Sequence, residues 1–234
     1  MTGTLYGLGV GPGDPDLITL KAVKRLQAAP VIAYPANENG DSLARRIAAP
    51  HIPEGRVELA IRVPFLTDPA PAQAVYDRAA QDIAAHLEAG RDVALLCEGD
   101  PFFYGSFQYL HARLAARFPV AVVPGISSVM AAAAVAGRPL TARNDVLTVL
   151  PATLPEDVLR AGLAAADAAV VMKLGRHLPK VRRVLTVLGR LEMALFVERA
   201  TMEQQRVLPL RDLTDDAVPY FSLILVQRPP EPCP

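Results

Sequence analysis

The chain has 234 residues, 51% hydrophobic and 21% charged, enough apolar material for one large domain or two small ones and too much for a disordered chain. Twenty-four basic residues balance twenty-four acidic ones, so the chain lacks the overall positive field that non-specific nucleic-acid binding requires, and an anionic partner must meet a local patch. No basic-then-apolar leader opens the sequence and no stretch approaches eighteen uninterrupted apolar residues, which predicts a cytoplasmic protein without a membrane span.

Leu5 to Val10 reads as a strand, and Thr19 as the N-cap of a helix from Leu20 to about Ala28. A second strand runs from Val31 to Tyr34. Between Ala72 and Ala89, the residues Val75, Ala79, Ile83 and Leu87 recur every four positions on one helical face, with Gly90 at C′. Val93 to Cys97 is a continuous apolar run, the pattern of a parallel strand covered on both faces; a helix from Phe107 to Arg117 and a strand from Val120 to Val123 follow. An alanine-rich helix, Val129 to Ala136, stops at Gly137. The polar, Pro-containing segment Arg138 to Asp145 suits a boundary between lobes at residues 1–141 and 142–228.

In the second half, the strand Val146 to Leu150, the helix Glu156 to Ala165, the strand Ala169 to Met172 and the helix Leu178 to Leu188 alternate. The strands Ala194 to Glu198, Gln205 to Leu208 and Phe221 to Val226 then follow too closely for crossover helices. The reading is an α/β protein of two lobes, with a mostly parallel N-terminal sheet and a mixed C-terminal one. Residues 229–234 lack core material and are expected to form a mobile tail.

Three glycine-bearing loops each follow a strand of the first lobe, and open α/β sheets bind ligands at that edge. Gly7 to Pro15 (GLGVGPGDP) fails the dinucleotide fingerprint, because position 12 is Pro where a glycine is required, and fails the Walker pattern for want of a closing Lys-Ser or Lys-Thr. It is a ligand loop or a tight turn. Glu98 to Ser106 (EGDPFFYGS) carries two carboxylates, two glycines and three aromatics. Pro124 to Ser128 (PGISS) offers hydroxyls that cap the next helix or bind a ligand.

The basic run Arg176 to Arg183 is a solvated face or a carboxylate-binding surface, since guanidinium groups grip carboxylates in bidentate fashion. Glu198 to Thr201 is a structural ion pair or a ligand edge. Cys97 and Cys233 read as free thiols, and the four histidines form no metal-ligand spacing, so no metal is assigned.

In the order and content of these loops the chain resembles the tetrapyrrole (corrin/porphyrin) methyltransferase family over nearly its whole length. The blocks Glu98–Ser106, Val149–Thr153 (VLPAT), Met172–Arg176 (MKLGR) and Val197–Met202 (VERATM) are most similar to the branch acting at C20 of precorrin-2. The resemblance implies a homodimer of bilobal subunits that binds S-adenosylmethionine in the cleft between lobes with the tetrapyrrole beside it, while balanced charge, hydropathy and histidine spacing leave no nucleic acid, membrane or metal as partner. It assigns Pro12, Gly99, Asp100, Ser127, Ser128, Leu174 and Ala200 to the donor, many through main-chain atoms. Asp100 is the candidate for an acid/base role, and Arg143, Arg176 and Lys180 are candidates for the carboxylates of precorrin-2. Glu98 agrees with the C20 branch, where the broader family more often has a small residue. The cobalt complex of precorrin-2 as substrate, another methyltransferase of the same fold, and a non-catalytic sensor of the donor or a tetrapyrrole are the alternatives.

Overall fold

The structure is a computed structural model that describes residues 1–64 and 70–227; the expected tail at 229–234 and Cys233 lie outside them. Two compact units result, one from Met1 to Ser127 and one from Ser128 onward. The division precedes the expected linker at Arg138–Asp145, because the alanine-rich helix packs against the last strand of the second unit.

In the first unit, five strands, β1 (Leu5–Gly9), β2 (Val31–Ala36), β3 (Val57–Arg62), β4 (Val93–Cys97) and β5 (Val120–Val123), form one sheet in the order β3-β2-β4-β1-β5. Every pairing is parallel, so this sheet is wholly rather than mostly parallel. The apolar run of β4 divides between two faces. Val93, Leu95 and Cys97 join a core with Ile83, Leu87, Phe107 and Leu110, while Ala94 and Leu96 join Leu8, Leu26, Ile32 and Ile47 on the other side. Each such leucine contributes about 2 kcal/mol of burial, which is why β4 tolerates no polar alternation.

The helices of this unit are α1 (Leu20–Ala28), α2 (Leu43–Ala48), α3 (Ala70–Glu88) and α4 (Phe107–Leu114). Thr19 caps α1 as expected, its Oγ1 accepting from the Ala22 N–H at 3.2 Å. Helix α2 and strand β3 are additional to the elements expected from the sequence. Helix α2 is six residues long, capped by Ser42, and β3 is an edge strand with Val57, Glu58, Ala60 and Arg62 exposed or half-exposed and only Ile61 buried. Arg45 of α2 grips Glu58 of β3 with two hydrogen bonds of 2.9 Å, holding that edge. Arg113 ties α4 to α3 by donating to Asp77 (2.7 Å) and Gln73 (2.8 Å).

The second unit contains α5 (Ser128–Val135), β6 (Leu147–Pro151), α6 (Glu156–Ala165), β7 (Ala168–Met172), α7 (Leu178–Val187), β8 (Ala194–Glu198), β9 (Arg206–Pro209) and β10 (Ser222–Val226). The sheet order is β6-β7-β10-β8-β9. Strands β6 and β7 are parallel, and β10 runs antiparallel to both neighbours, giving the mixed sheet that the crowded strands foretold. Leu159 and Leu163 of α6 meet Leu178, Val181 and Leu185 of α7 over Val171, Phe196 and Ile224.

One side chain closes this layer. Arg190 donates to the carbonyls of Leu163, Ala166 (2.9 Å) and Asp167 (3.0 Å), satisfying acceptors that the C-terminal end of α6 leaves without helical partners. Replacing it uncovers these carbonyls in a half-buried place. Arg190→Ala should destabilise the protein by about 2–3 kcal/mol, read as a lower Tm, while a surface change such as Arg183→Ala should have a much smaller effect.

Candidate active site

Because β4, β1 and β5 are adjacent and parallel, the loops that follow them leave the sheet from one edge. They touch through bare backbone. Gly11 and Gly99 exchange main-chain hydrogen bonds of 3.3 and 2.8 Å, which joins the first loop to the second. A Cβ placed on Gly9 would lie 2.5 Å from the Gly125 nitrogen, and one on Gly125 would lie 2.1 Å from the Gly99 oxygen. No side chain fits at either position, so glycine here is a packing requirement.

Asp100 locks this junction. One carboxylate oxygen accepts from the Phe102 N–H at 2.9 Å and the other from the Gly125 N–H at 3.0 Å. Both oxygens thus carry a structural task, and the residue fits a role that holds loops in register. Pro12 is buried directly after Gly11. Ser127 and Ser128, half-buried, stand where the third loop enters α5.

Glu98 had signalled only subfamily in the sequence, yet it is the residue of this edge with a perturbed carboxyl. Burial pushes its pKa up, and the hydrogen bond it accepts from the Ala44 N–H at the start of α2 (3.2 Å) offsets part of that. Burial likewise raises the thiol of Cys97, one residue earlier, and keeps it protonated and unreactive.

In the second unit, the ends of β7 and β8 repeat one backbone device. Leu174 lies between Lys173 (φ 56°) and Gly175 (φ 43°), and Ala200 between Arg199 (φ 49°) and Thr201 (φ 70°). Three of these four left-handed residues are not glycine. That conformation costs about 1–3 kcal/mol each and is concentrated at functional sites. The side chains of Leu174 and Ala200 are buried, which leaves their main chain as the part available to a ligand. Nothing in residue type announced the left-handed Lys173, Arg199 and Thr201.

The basic candidates separate. Arg176 is exposed after β7, and Lys180 reaches the same sheet edge, where its ammonium donates to the Leu154 carbonyl at 2.5 Å. Arg143 (φ 48°) sits in the turn before β6 and therefore at the opposite edge. Within the same run, Arg182 is engaged by the Leu213 carbonyl and Arg183 by Glu156 (2.9 Å), as a structural face would be. Glu198 is buried and pairs with Arg206 (3.3 Å) and Arg199 (3.6 Å), which realises the ion-pair reading of that segment. A cavity of about 540 Å³ in the first unit lies between β3 and α3; Glu58, Arg62, Arg78 and Asp82 line it, and no residue of the three loops does.

The family model for tetrapyrrole (corrin/porphyrin) methylases matches residues 4–214. The chain belongs to that family. A precorrin-2 C(20)-methyltransferase from Sinorhizobium is 46% identical over 96% of this chain and 95% of its own length. The cobalamin biosynthesis protein CobIJ of Mycobacterium tuberculosis is 47% identical over 96% of this chain but 46% of its own length, so the chain spans about half of that relative. Among solved structures, uroporphyrin-III C-methyltransferase from Thermus thermophilus, complexed with S-adenosylhomocysteine, has a TM-score of 0.71 and 27% identity, covering 96% of this chain and 92% of the other. Like other family members, the chain is an α/β protein, and none of its described helices is long and apolar enough to cross a membrane.

The perturbed carboxyl at this edge sets a pH dependence. A carboxyl raised in the folded state stabilises the fold below its unfolded pKa, and that contribution is lost as pH climbs through the raised value. Glu98→Gln keeps an acceptor for Ala44 and removes the charge. Its Tm relative to wild type should therefore increase as pH rises above the ordinary 4.5 of a glutamate; a constant difference across a thermal-melt series would remove Glu98 as the cause.

Proposed function

We propose that this chain transfers a methyl group from S-adenosylmethionine to C20 of precorrin-2, forming precorrin-3A on the way to cobalamin. The observation that carries the reading is the junction of Gly9, Gly99 and Gly125, locked by Asp100, at the edge shared by three parallel strands. It is supported by family membership, by the name of the Sinorhizobium relative, and by the donor product held in the Thermus thermophilus structure.

The residues present fit such a donor. The proposed contacts in the first unit are Pro12, Gly99, Asp100 and Ser127, and in the second Ser128, Leu174 and Ala200. The glycine junction of the first unit brings loop backbones together, and in the second unit left-handed residues flank Leu174 and Ala200, whose buried side chains leave main-chain groups to grip an adenine edge, a ribose or an amino-acid end. The second unit of the proposed two-lobed subunit supplies cations for the substrate's carboxylates. Arg176 is the better candidate, with Lys180 on its edge and Arg143 the outlier. By the same resemblance the working assembly is a homodimer.

The bound donor supplies a sulfonium methyl that is already electrophilic. What the chain must do is hold an electron-rich ring carbon in line with it, keep water out and hold both rigid. Such placement contributes about 7–11 kcal/mol to rate, more than one general base supplies. Asp100 serves by keeping two loops in register, with an acid/base role secondary to that.

Incubating the protein with S-adenosylmethionine and precorrin-2 should yield a product heavier by one CH₂, the methyl having replaced the proton lost from C20, and the metal-free substrate should be preferred to its cobalt complex. Exclusive turnover of the cobalt form would overturn that preference. Asp100→Asn presents an N–H₂ to one of the two N–H groups now accepted. By misplacing the loops it should lower kcat/KM by about 100-fold. Full activity in that variant would show that the junction does not govern the site.

A further inference from the structure

We propose that Phe103 and Tyr104 form an apolar wall against which the macrocycle of the tetrapyrrole rests. This deepens the methyltransferase reading and relies on it for the identity of the ring. Phe102, Phe103 and Tyr104 are 55%, 36% and 44% exposed. A single exposed apolar side chain needs no explanation, but three aromatic rings in succession on a loop that leaves the ligand-binding edge of a parallel sheet suit a binding surface.

The loop is held so as to keep them there. Tyr104 has φ 57°, a region that bulky residues avoid and that any simple turn would fill with Gly or Asn. A Cβ on Gly105 would lie 2.6 Å from the Pro101 carbonyl oxygen, so the chain doubles back tightly behind the rings. Asp100 fixes the start of the turn through the Phe102 N–H. Phe102 then leans on Phe107 and His111, with ring centroids 5.5 and 5.2 Å apart. Phe103 and Tyr104 meet edge to face at 5.1 Å and 80°. Rings locked against each other lose little freedom when a ligand arrives, which is what favours a preformed aromatic site.

The position selects the occupant. The rings follow within four residues of Asp100, whose other oxygen holds the Gly125 loop, so they belong to the same rigid edge as the junction. A conjugated macrocycle offers a flat polarisable face to such a wall while its carboxylates stay in water. A second copy of the chain is a poorer occupant. Three partly covered rings expose at most a few hundred Å², against about 800 Å² per partner in a stable interface, so a homodimer seam here would have to recruit surface well beyond this loop.

The test uses Phe103→Ala and Tyr104→Gly, with uroporphyrin III as a stable octacarboxylate probe. Each variant should weaken uroporphyrin binding, measured by absorbance titration, about tenfold. Each should raise KM for precorrin-2 similarly, leave S-adenosylhomocysteine affinity by calorimetry within about twofold, and leave the sedimenting mass unchanged. Glycine relieves the backbone at 104 and so offsets the lost side-chain contacts; Tyr104→Gly should melt within a few degrees of wild type, which separates loss of the wall from loss of the fold. Unchanged porphyrin binding in a folded variant overturns the wall whatever the turnover. A change in sedimenting mass also overturns it and assigns the rings to a second copy. Wild-type protein that binds the porphyrin through these rings, yet never methylates precorrin-2, would keep the wall and sink the activity instead.

Discussion

Three loops can share one edge of the first sheet only because their main chains approach without side chains between them. Gly9, Gly99 and Gly125 meet at distances that a single Cβ would violate, and Asp100 converts that contact into a fixed arrangement by accepting from two loops at once. The wholly parallel sheet brings the loops to the same side, and the two-faced core of β4 holds the strand from which the middle loop springs. Burial of one strand's side chains and bareness of the next turn's backbone are therefore parts of one construction.

The consequence for chemistry is that little is asked of individual functional groups. Under the proposed function the site must hold an electrophilic donor and a nucleophilic carbon in line, a task that gains most from rigidity, and glycine contacts and left-handed residues are the rigid features of these loops. Lys173, Arg199, Thr201 and Tyr104 all occupy backbone conformations that folding alone disfavours. The desolvated carboxyl of Glu98 adds a second kind of cost at the loop edge of the first sheet. Within each unit these departures fall on or beside the loops proposed for the donor and ring, where stability is traded for a preset shape.

Much of this was legible in the residues. The continuous apolar run from Val93 to Cys97, the four-residue spacing of Val75, Ala79, Ile83 and Leu87, and the cap at Thr19 lead directly to their elements, since each pattern has one physical solution. The crowding of strands after Ala194 announced the mixed sheet. Strand β3 was hidden because an edge strand buries little, and α2 because six residues are too short for a hydrophobic period. Non-glycine left-handed residues carry no signature of type, so Lys173 and Arg199 emerged only from backbone angles. Lys180 and Arg176 look alike in sequence; only coordinates show one ammonium committed to a carbonyl.

The most direct measurement is a crystal structure of the protein with S-adenosylhomocysteine. Density for the ligand should lie against the main chain of the loops that follow β1, β4 and β5, with contacts at Pro12, Gly99 and Ser127. Density in the cavity between β3 and α3, with those loops bare, would contradict that placement.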